Sequence, residues 1–199
     1  MNTKQMLSSL LILFLLCLTS PTTIFAHVTP PVVLMSDRDA VIALTAGARR
    51  FFVRESRLAE NELATLQKQW GWRPDEAFHR FYLGRDDQGR LVSAVAFLTE
   101  YTIHGPIRVA VAIGPDGKVK GAQVVELTEE TYPWLKPLID QNFTQEYVGR
   151  EIKGGFSPAE KYQRTLGSMP LFYAQVVATL IQRGAILYEA TVAKNLTFS

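Results

Sequence analysis

The sequence predicts an α+β fold in which an antiparallel sheet lies between N-terminal and C-terminal helices. Apolar residues recur at helical spacing in residues 37–70 and 131–190, whereas residues 78–127 contain runs rich in valine, isoleucine and aromatic residues. Short turn sequences separate these runs, and short turns join antiparallel neighbours. We therefore expect about four strands in a meander, with one long helix as the last element.

Two helices are predicted before the sheet. The first begins at Ser36 or Asp37, both of which are typical cap residues, and ends near Ala48. The second covers residues 58–70, where four apolar side chains lie on or near one side. Gly71 follows it and is typical of a helix end.

The four predicted strands are separated by turn residues. Asp and Gly residues at 86–89, the Gly-Pro pair at 105–106 and the Pro-Asp-Gly turn at 115–117 mark the connections. The strands are expected at 78–83, 91–102, 107–113 and 119–127. A short additional strand is indicated at residues 51–53.

The remainder of the chain is predicted to be helical. Short helices are expected at residues 131–139 and 143–148, and a glycine-rich flexible stretch at residues 149–158 follows them. A long apolar helix is expected over residues 169–190. Ser168 could cap that helix, and Pro170 suits its first turn.

The first 26 residues resemble an export signal. Lys4 is followed by an apolar run at residues 6–18, and the segment ends in a small residue, Ala26. That run has 13 residues, whereas a bilayer span needs about 20. We expect cleavage to leave one domain, residues 27–199, in the periplasm or exported; an uncleaved segment would instead hold the domain at the membrane.

The domain that remains carries a net charge of +1 and no cysteine, because Lys4 and Cys17 leave with the signal. This composition excludes disulfides, thiol nucleophiles and Cys-ligated metals, and it argues against a nucleic-acid partner. His27, His79 and His104 are isolated from one another in the sequence, so no metal site is predicted. No hydrolase, P-loop or dinucleotide motif is present.

The sequence indicates mainly structural roles for the tryptophan and histidine side chains. Trp70, Trp72 and Trp134 are interpreted as packing residues, because aromatic side chains bury large areas. His104, in the turn before Gly105, is interpreted as structural, with contact to a ligand as the alternative.

The start of the last helix is the most informative local feature. Free backbone N–H groups there, together with the hydroxyls of Thr165 and Ser168, would form an anion site. An ordinary capped helix is the alternative, since every helix begins with such N–H groups.

A family resemblance is carried by residues 114–126, by Glu130 with Thr131, and by Phe143 with residues 145–149. These strings resemble the FMN-binding domain family, which includes flavin subunits of the sodium-translocating NADH:quinone reductase and of the ferredoxin-linked respiratory complex. Residues 114–126 are similar to its central hairpin, and Glu130 and Thr131 match its Glu-Thr pair. Phe143 with residues 145–149 resembles its Phe-to-Gly element. The resemblance covers residues 36–190 and implies an exported or membrane-associated domain that carries FMN for electron transfer.

The resemblance also implies a redox partner protein in the membrane or periplasm. In many members the FMN phosphate is attached to the Thr of a Ser-Gly-Ala-Thr motif, which an Asp precedes. The stretch Leu166-Gly167-Ser168-Met169 occupies that place here, and Gln163 stands for the Asp. Met169 has no hydroxyl, so a phosphoester at that position is chemically impossible.

Three interpretations remain open. FMN binds non-covalently, with Gly167, Ser168 and Met169 at the phosphate, and with Glu130, Thr131 and Leu166 near the ring or ribityl chain, as the resemblance implies. Alternatively, Ser168 or Thr165 is a displaced attachment residue. In the third interpretation the domain has lost flavin and serves as a periplasmic accessory or interaction module. None of these assigns a catalytic acid or base, and whether the chain is an enzyme stays open.

Overall fold

The computed structural model describes residues 29–194, so the predicted signal and His27 lie outside the described residues. The described chain has six strands in one antiparallel sheet with five α-helices around it. The strands are β1 Pro31–Val33, β2 Arg50–Arg57, β3 Phe78–Arg85, β4 Leu91–Thr102, β5 Gly105–Ile113 and β6 Val119–Thr128. The helices are α1 Asp37–Leu44, α2 Glu60–Trp70, α3 Tyr132–Asp140, α4 Glu160–Thr165 and α5 Ser168–Tyr188.

The α+β class, the antiparallel meander and the long last helix are confirmed. The sheet order is β1-β6-β5-β4-β3-β2, so the strands from β2 to β6 are consecutive neighbours. The sheet has six strands rather than about four. Strand β1 pairs with the end of β6, and β2, indicated at only three residues, is eight residues long. Both are edge strands with mostly exposed side chains, so neither has the alternating pattern that reveals a half-buried strand.

Local signals set most element ends. Ser36 caps α1, and its hydroxyl oxygen accepts the backbone N–H of Asp39 at 3.1 Å. Gly71 ends α2 in the left-handed conformation with φ of 66°, as its position predicted. Residues 143–148 were predicted as a short helix and form a 3₁₀ turn, Phe143–Tyr147.

The two faces of the sheet are covered by different numbers of helices. Helices α2, α3 and α5 cover one face, which we call the helix face, and its core includes Phe81, Val109 and Ile181. Within residues 29–194, α1 alone covers the other face, which we call the α1 face. Its smaller core consists of Ala40, Val41, Leu44, Val95, Ala110, Ala112 and Val125.

Helix α5 runs directly across the middle of the sheet. A Cβ at Gly184 would lie 2.9 Å from a methyl carbon of Val111 on β5, so a side chain there would have to displace the helix. After Tyr188 the helix continues as one π-helical turn, Glu189–Ala193. By length and composition, the helical segment Ser168–Ala193 could cross a membrane, but 61% of its apolar window is buried inside the domain.

Candidate functional site

His104 lies at the tip of the β4–β5 hairpin and is held by the backbone around it. Its N–H donates to the Thr102 hydroxyl at 3.2 Å, and that hydroxyl donates to the Gly105 carbonyl at 2.8 Å. Gly105 adopts a φ of 99°, which allows the tight turn. The His104 carbonyl accepts the Thr128 hydroxyl at 2.7 Å, which ties the tip to the end of β6.

The imidazole of His104 contacts the long helix through Tyr173. Nδ1 of His104 lies 2.6 Å from the Tyr173 hydroxyl oxygen, while Thr102 Oγ1 lies 3.4 Å from it. The tautomer of His104 decides whether Nδ1 or the tyrosine hydroxyl is the donor in the shorter contact. Tyr173 is fully buried, and burial raises its pKa above the ordinary value of 10.0.

The other imidazole nitrogen faces a carboxylate. Nε2 of His104 lies 3.6 Å from Oε1 of Glu130, whose side chain is half-exposed. Tyr173, His104 and Glu130 therefore lie in a row from the helix core to the surface, with a hydrogen bond between Tyr173 and His104 and a looser contact between His104 and Glu130.

Thr131 serves the fold rather than the surface. It is fully buried, and its hydroxyl donates to the Thr128 carbonyl at 3.1 Å. The Thr128 backbone N–H in turn donates to the Thr131 hydroxyl at 3.2 Å. These bonds fix the turn from β6 into α3, and they place Glu130 on the outside of that turn.

Trp134 joins the beginnings of α3 and α5. Its ring is stacked on that of Tyr173, with centroids 5.5 Å apart and planes 10° apart. The edge of His104 also meets the Trp134 ring, at a centroid distance of 4.9 Å. Because Tyr173 follows Ser168 by five residues, it lies about 7.5 Å along the helix. The N-terminal ends of α3 and α5 are therefore neighbours.

An open cavity of about 680 Å³ lies beside His104 and Glu130. That volume is in the range of small-molecule sites. Its wall is completed by the end of β6 and the hairpin tip, and the lining residues are Thr29, Ile103, His104, Gly105, Pro106, Thr128, Glu129 and Glu130. None of residues 165–169 lines this cavity.

The remaining predicted site residues lie around the start of α5. Gly167 is its N-cap, and the Leu171 N–H donates to the Gly167 carbonyl at 3.1 Å. The prediction that Ser168 caps the helix is therefore wrong: Ser168 is already the first helical residue, and its hydroxyl makes no cap bond. The Thr165 hydroxyl donates to the Lys161 carbonyl at 2.8 Å. Leu166 and Met169 are half-buried against the main core.

The beginning of α5 keeps a few hydrogen-bond donors. No side chain caps it, and the N–H groups of Ser168 and Met169 have no acceptor within the helix. Pro170 supplies no N–H, which limits the donor set. The exposed Ser168 hydroxyl is the nearest side-chain donor. An anion of modest size could bind here, with the helix dipole favouring it.

Sequence reasoning missed the role of Tyr173 and understated the roles of His104 and Trp134. Tyr173 lies in an apolar helix, and its hydroxyl becomes significant only because the hairpin tip meets the helix there. His104 and Trp134 were interpreted as structural, and their contacts link the hairpin tip, α3 and α5. The one sequence signal that could have suggested this cluster is the position of His104 in a turn.

Within residues 29–194 no three His, Cys, Asp or Glu side chains lie close enough to hold a metal ion. No family model, curated protein or solved structure matches this chain. Function must therefore be argued from the site itself.

Proposed function

We propose that this chain binds flavin mononucleotide non-covalently and takes part in electron transfer as a periplasmic or exported domain, which an uncleaved signal would hold at the membrane. The observation that supports this most is the stacking of Trp134 on Tyr173. It brings together two stretches more than thirty residues apart in the chain, namely those that the family resemblance associates with the cofactor.

The phosphate would lie at the start of α5. The backbone N–H groups of Ser168 and Met169 and the Ser168 hydroxyl are donors without partners in the described chain. Gly167 leaves room there, because a Cβ added to it would meet only Pro170, at 3.9 Å. A helix start of this kind suits a phosphate group.

The isoalloxazine ring would lie toward the aromatic side chains beside the helix start. Phe172 is half-exposed and packs edge-on against Tyr173, with centroids 5.1 Å apart. A bound flavin supplies one- and two-electron transfer. His104, Tyr173 and Glu130 would be the polar neighbours of this region, at the distances given above. The redox partner would be a membrane or periplasmic protein.

Covalent attachment is the less favoured version of this proposal. Met169 cannot form a phosphoester, and the Thr165 hydroxyl is already bonded within α4. Ser168 is exposed and its hydroxyl has no partner, so it is the remaining displaced attachment residue.

A flavin-free accessory module is the second candidate. The observation that favours it is that residues 165–169 do not line the cavity beside Glu130, and that Thr131 is buried in the turn. In that case the cluster around His104 would only join the hairpin tip to the helices.

Flavin content separates the two candidates. The full-length chain is expressed with export, purified from the periplasmic fraction and examined for flavin absorbance. Acid precipitation then shows whether flavin stays with the polypeptide. Protein without flavin is titrated with FMN, and quenching of flavin fluorescence is measured.

Ser168→Asp is the matched test of the phosphate position. The added carboxylate would repel a phosphate and lower FMN affinity, while the helix dipole would keep the fold stable. Ser157→Asp places the same charge on an exposed serine before α4 and is expected to leave affinity unchanged. A protein that carries no flavin and binds no added FMN would contradict the proposal and leave the accessory module. Flavin retained after precipitation, and lost in Ser168→Ala, would establish covalent attachment instead.

A further inference from the structure

Strand β2 forms an edge of the sheet with unusually apolar exposed side chains. Its hydrogen-bonded neighbour in the described chain is β3, and no further strand follows it. Three consecutive residues, Phe51, Phe52 and Val53, are 50%, 48% and 58% exposed. An edge of this kind pairs readily with another extended chain unless charges or covering elements prevent it.

The backbone groups that face outward from β2 can be assigned. The Leu58 N–H donates to the Ala77 carbonyl at 2.8 Å, immediately after the last residue pair of β2 and β3. In an antiparallel pair, such bonds alternate along the strand. The outward-facing N–H and C=O groups therefore belong to Phe51, Val53, Glu55 and Arg57.

The charge along this edge is positive. Among the described residues Arg50, Arg54 and Arg57 form no ion pair, whereas Glu55 is paired with Arg80 of β3 at 2.7 Å. Three cationic side chains thus flank the exposed apolar residues. Opposite charges placed across neighbouring strands stabilise their pairing.

Two other occupants fit this edge less well. A lipid bilayer offers no hydrogen-bond partners to the outward-facing backbone groups, which makes its insertion costly. A second copy of the chain would place its own β2 antiparallel to this one. Residues whose backbone groups face outward would then lie opposite each other. Registers centred on Phe52 or Arg54 place an arginine of one copy opposite an arginine of the other, and every register brings two cationic strands together.

We propose that β2 binds an extended acidic segment of a partner protein by strand addition. Backbone hydrogen bonds would join the two strands, as in other cases of strand addition. Apolar side chains of the partner would cover Phe51 and Val53, and its Asp or Glu residues would lie beside Arg50 and Arg54 on the opposite face, since side chains alternate along a strand. This surface is independent of flavin binding, because it lies on β2 and uses none of the residues around His104.

Binding of a fluorescein-labelled peptide of alternating valine and glutamate tests the proposal, measured by fluorescence anisotropy. The same peptide with N-methyl groups at alternate residues keeps the charge but loses the backbone donors. Phosphatidylglycerol vesicles provide the lipid arm, and sedimentation of the free protein provides the self-association arm. We expect only the unmodified peptide to bind.

Two variants locate the binding surface. Val53→Pro removes an outward-facing N–H without removing a bond to β3, and it is expected to weaken peptide binding by about tenfold or more. Arg50→Glu, on the face that the peptide's glutamates would share, is expected to weaken it about two- to fivefold, as for an exposed ion pair. Arg38→Glu makes the same change at an exposed arginine of α1 that has no ion pair, and it should leave binding unchanged.

Circular dichroism checks that each variant is folded. If Val53→Pro does not fold, the comparison of the β2 arginine variant with Arg38→Glu still decides the question. Equal binding of the N-methylated peptide, or equal effects of Arg50→Glu and Arg38→Glu, would overturn strand addition at β2. Binding to vesicles but not to the peptide would assign the edge to a membrane. A concentration-dependent dimer that Val53→Pro abolishes, without peptide binding, would assign it to a second copy.

Discussion

The helix face and the α1 face of the sheet differ in what they bury. On the helix face, α5 packs closely enough that Gly184 meets Val111, and large side chains such as Tyr173 and Tyr188 are fully buried. On the α1 face, one short helix covers only the β4–β6 part of the sheet, over small residues such as Ala110. The α1-face side chains of β2, such as Phe51, stay exposed.

This difference separates stability from recognition. The helix face holds most of the apolar area that stabilises the fold, and it fixes the Tyr173–His104 contact. Beyond α1, the edge of the sheet at β2 contributes little to the core and remains available for binding. Matched substitutions in the two regions can test this division.

Leucine-to-alanine substitutions on the two faces should have the largest and most unequal effects. Leu180 on α5 is 1% exposed, whereas Leu44 at the end of α1 is 9% exposed. We expect Leu180→Ala to lower the free energy of unfolding by about 3–5 kcal/mol and Leu44→Ala by about 2–3 kcal/mol, because a rigid surrounding leaves a larger cavity. Urea unfolding measures both. Equal losses would show that the α1 face is as important to stability as the helix face.

The two buried tyrosines of α5 should differ when each loses its hydroxyl. Tyr173→Phe removes the partner of His104 Nδ1, and we expect a loss of about 1–2 kcal/mol. The Tyr188 hydroxyl is buried with no hydrogen-bond partner in the described part of the chain, and burial raises the pKa of Tyr188. Tyr188→Phe should therefore be neutral or slightly stabilising. The same urea titration compares them, and similar losses would mean that the Tyr173 bond adds no stability.

The fold could be predicted where side-chain periodicity reports burial. Strand β4 was predicted with its observed bounds, and the caps at Ser36 and Gly71 were predicted correctly, since each rests on a local pattern. Strand β1 and helix α4 were not predicted. They are short, and tertiary contacts rather than periodicity determine them.

The candidate site was less accessible to sequence reasoning. Glu130 and Thr131 were singled out together by resemblance, but the turn buries one and exposes the other. Adjacent residues on a turn can face opposite ways, and sequence alone does not say which. The contact of His104 with Tyr173 joins residues 69 positions apart, and only the crossing of α5 over the hairpin creates it.

A pH-dependent loss of stability should arise where the helix face opens between β3 and β4. His79 lies there beside Trp72 and Arg183, and burial lowers its pKa from the ordinary 6.5, although Glu76 partly opposes this. As the pH falls below about 6.5 the unfolded chain therefore binds a proton before the folded one. Stability should fall until the native pKa is passed and then stop changing on account of this group.

His79→Asn isolates that contribution. The variant should show a flatter dependence of unfolding free energy on pH below 6.5 than the parent chain, because asparagine does not titrate. Urea unfolding at a series of pH values measures it. Parallel curves for parent and variant would mean that His79 is as easily protonated in the folded protein as in the unfolded one.

Threonine in place of phenylalanine should have the smallest effect at the edge of the sheet. Phe51 is half-exposed, and threonine keeps a strand-forming side chain, so we expect Phe51→Thr to change the unfolding free energy by no more than about 0.5 kcal/mol. Phe81→Thr on neighbouring β3 makes the same change at a fully buried ring and should cost about 3 kcal/mol or more. Thermal and urea unfolding compare the two. A large loss at Phe51 would mean that the ring supports the fold, whereas a small one leaves binding as the reason for an exposed aromatic side chain on this edge.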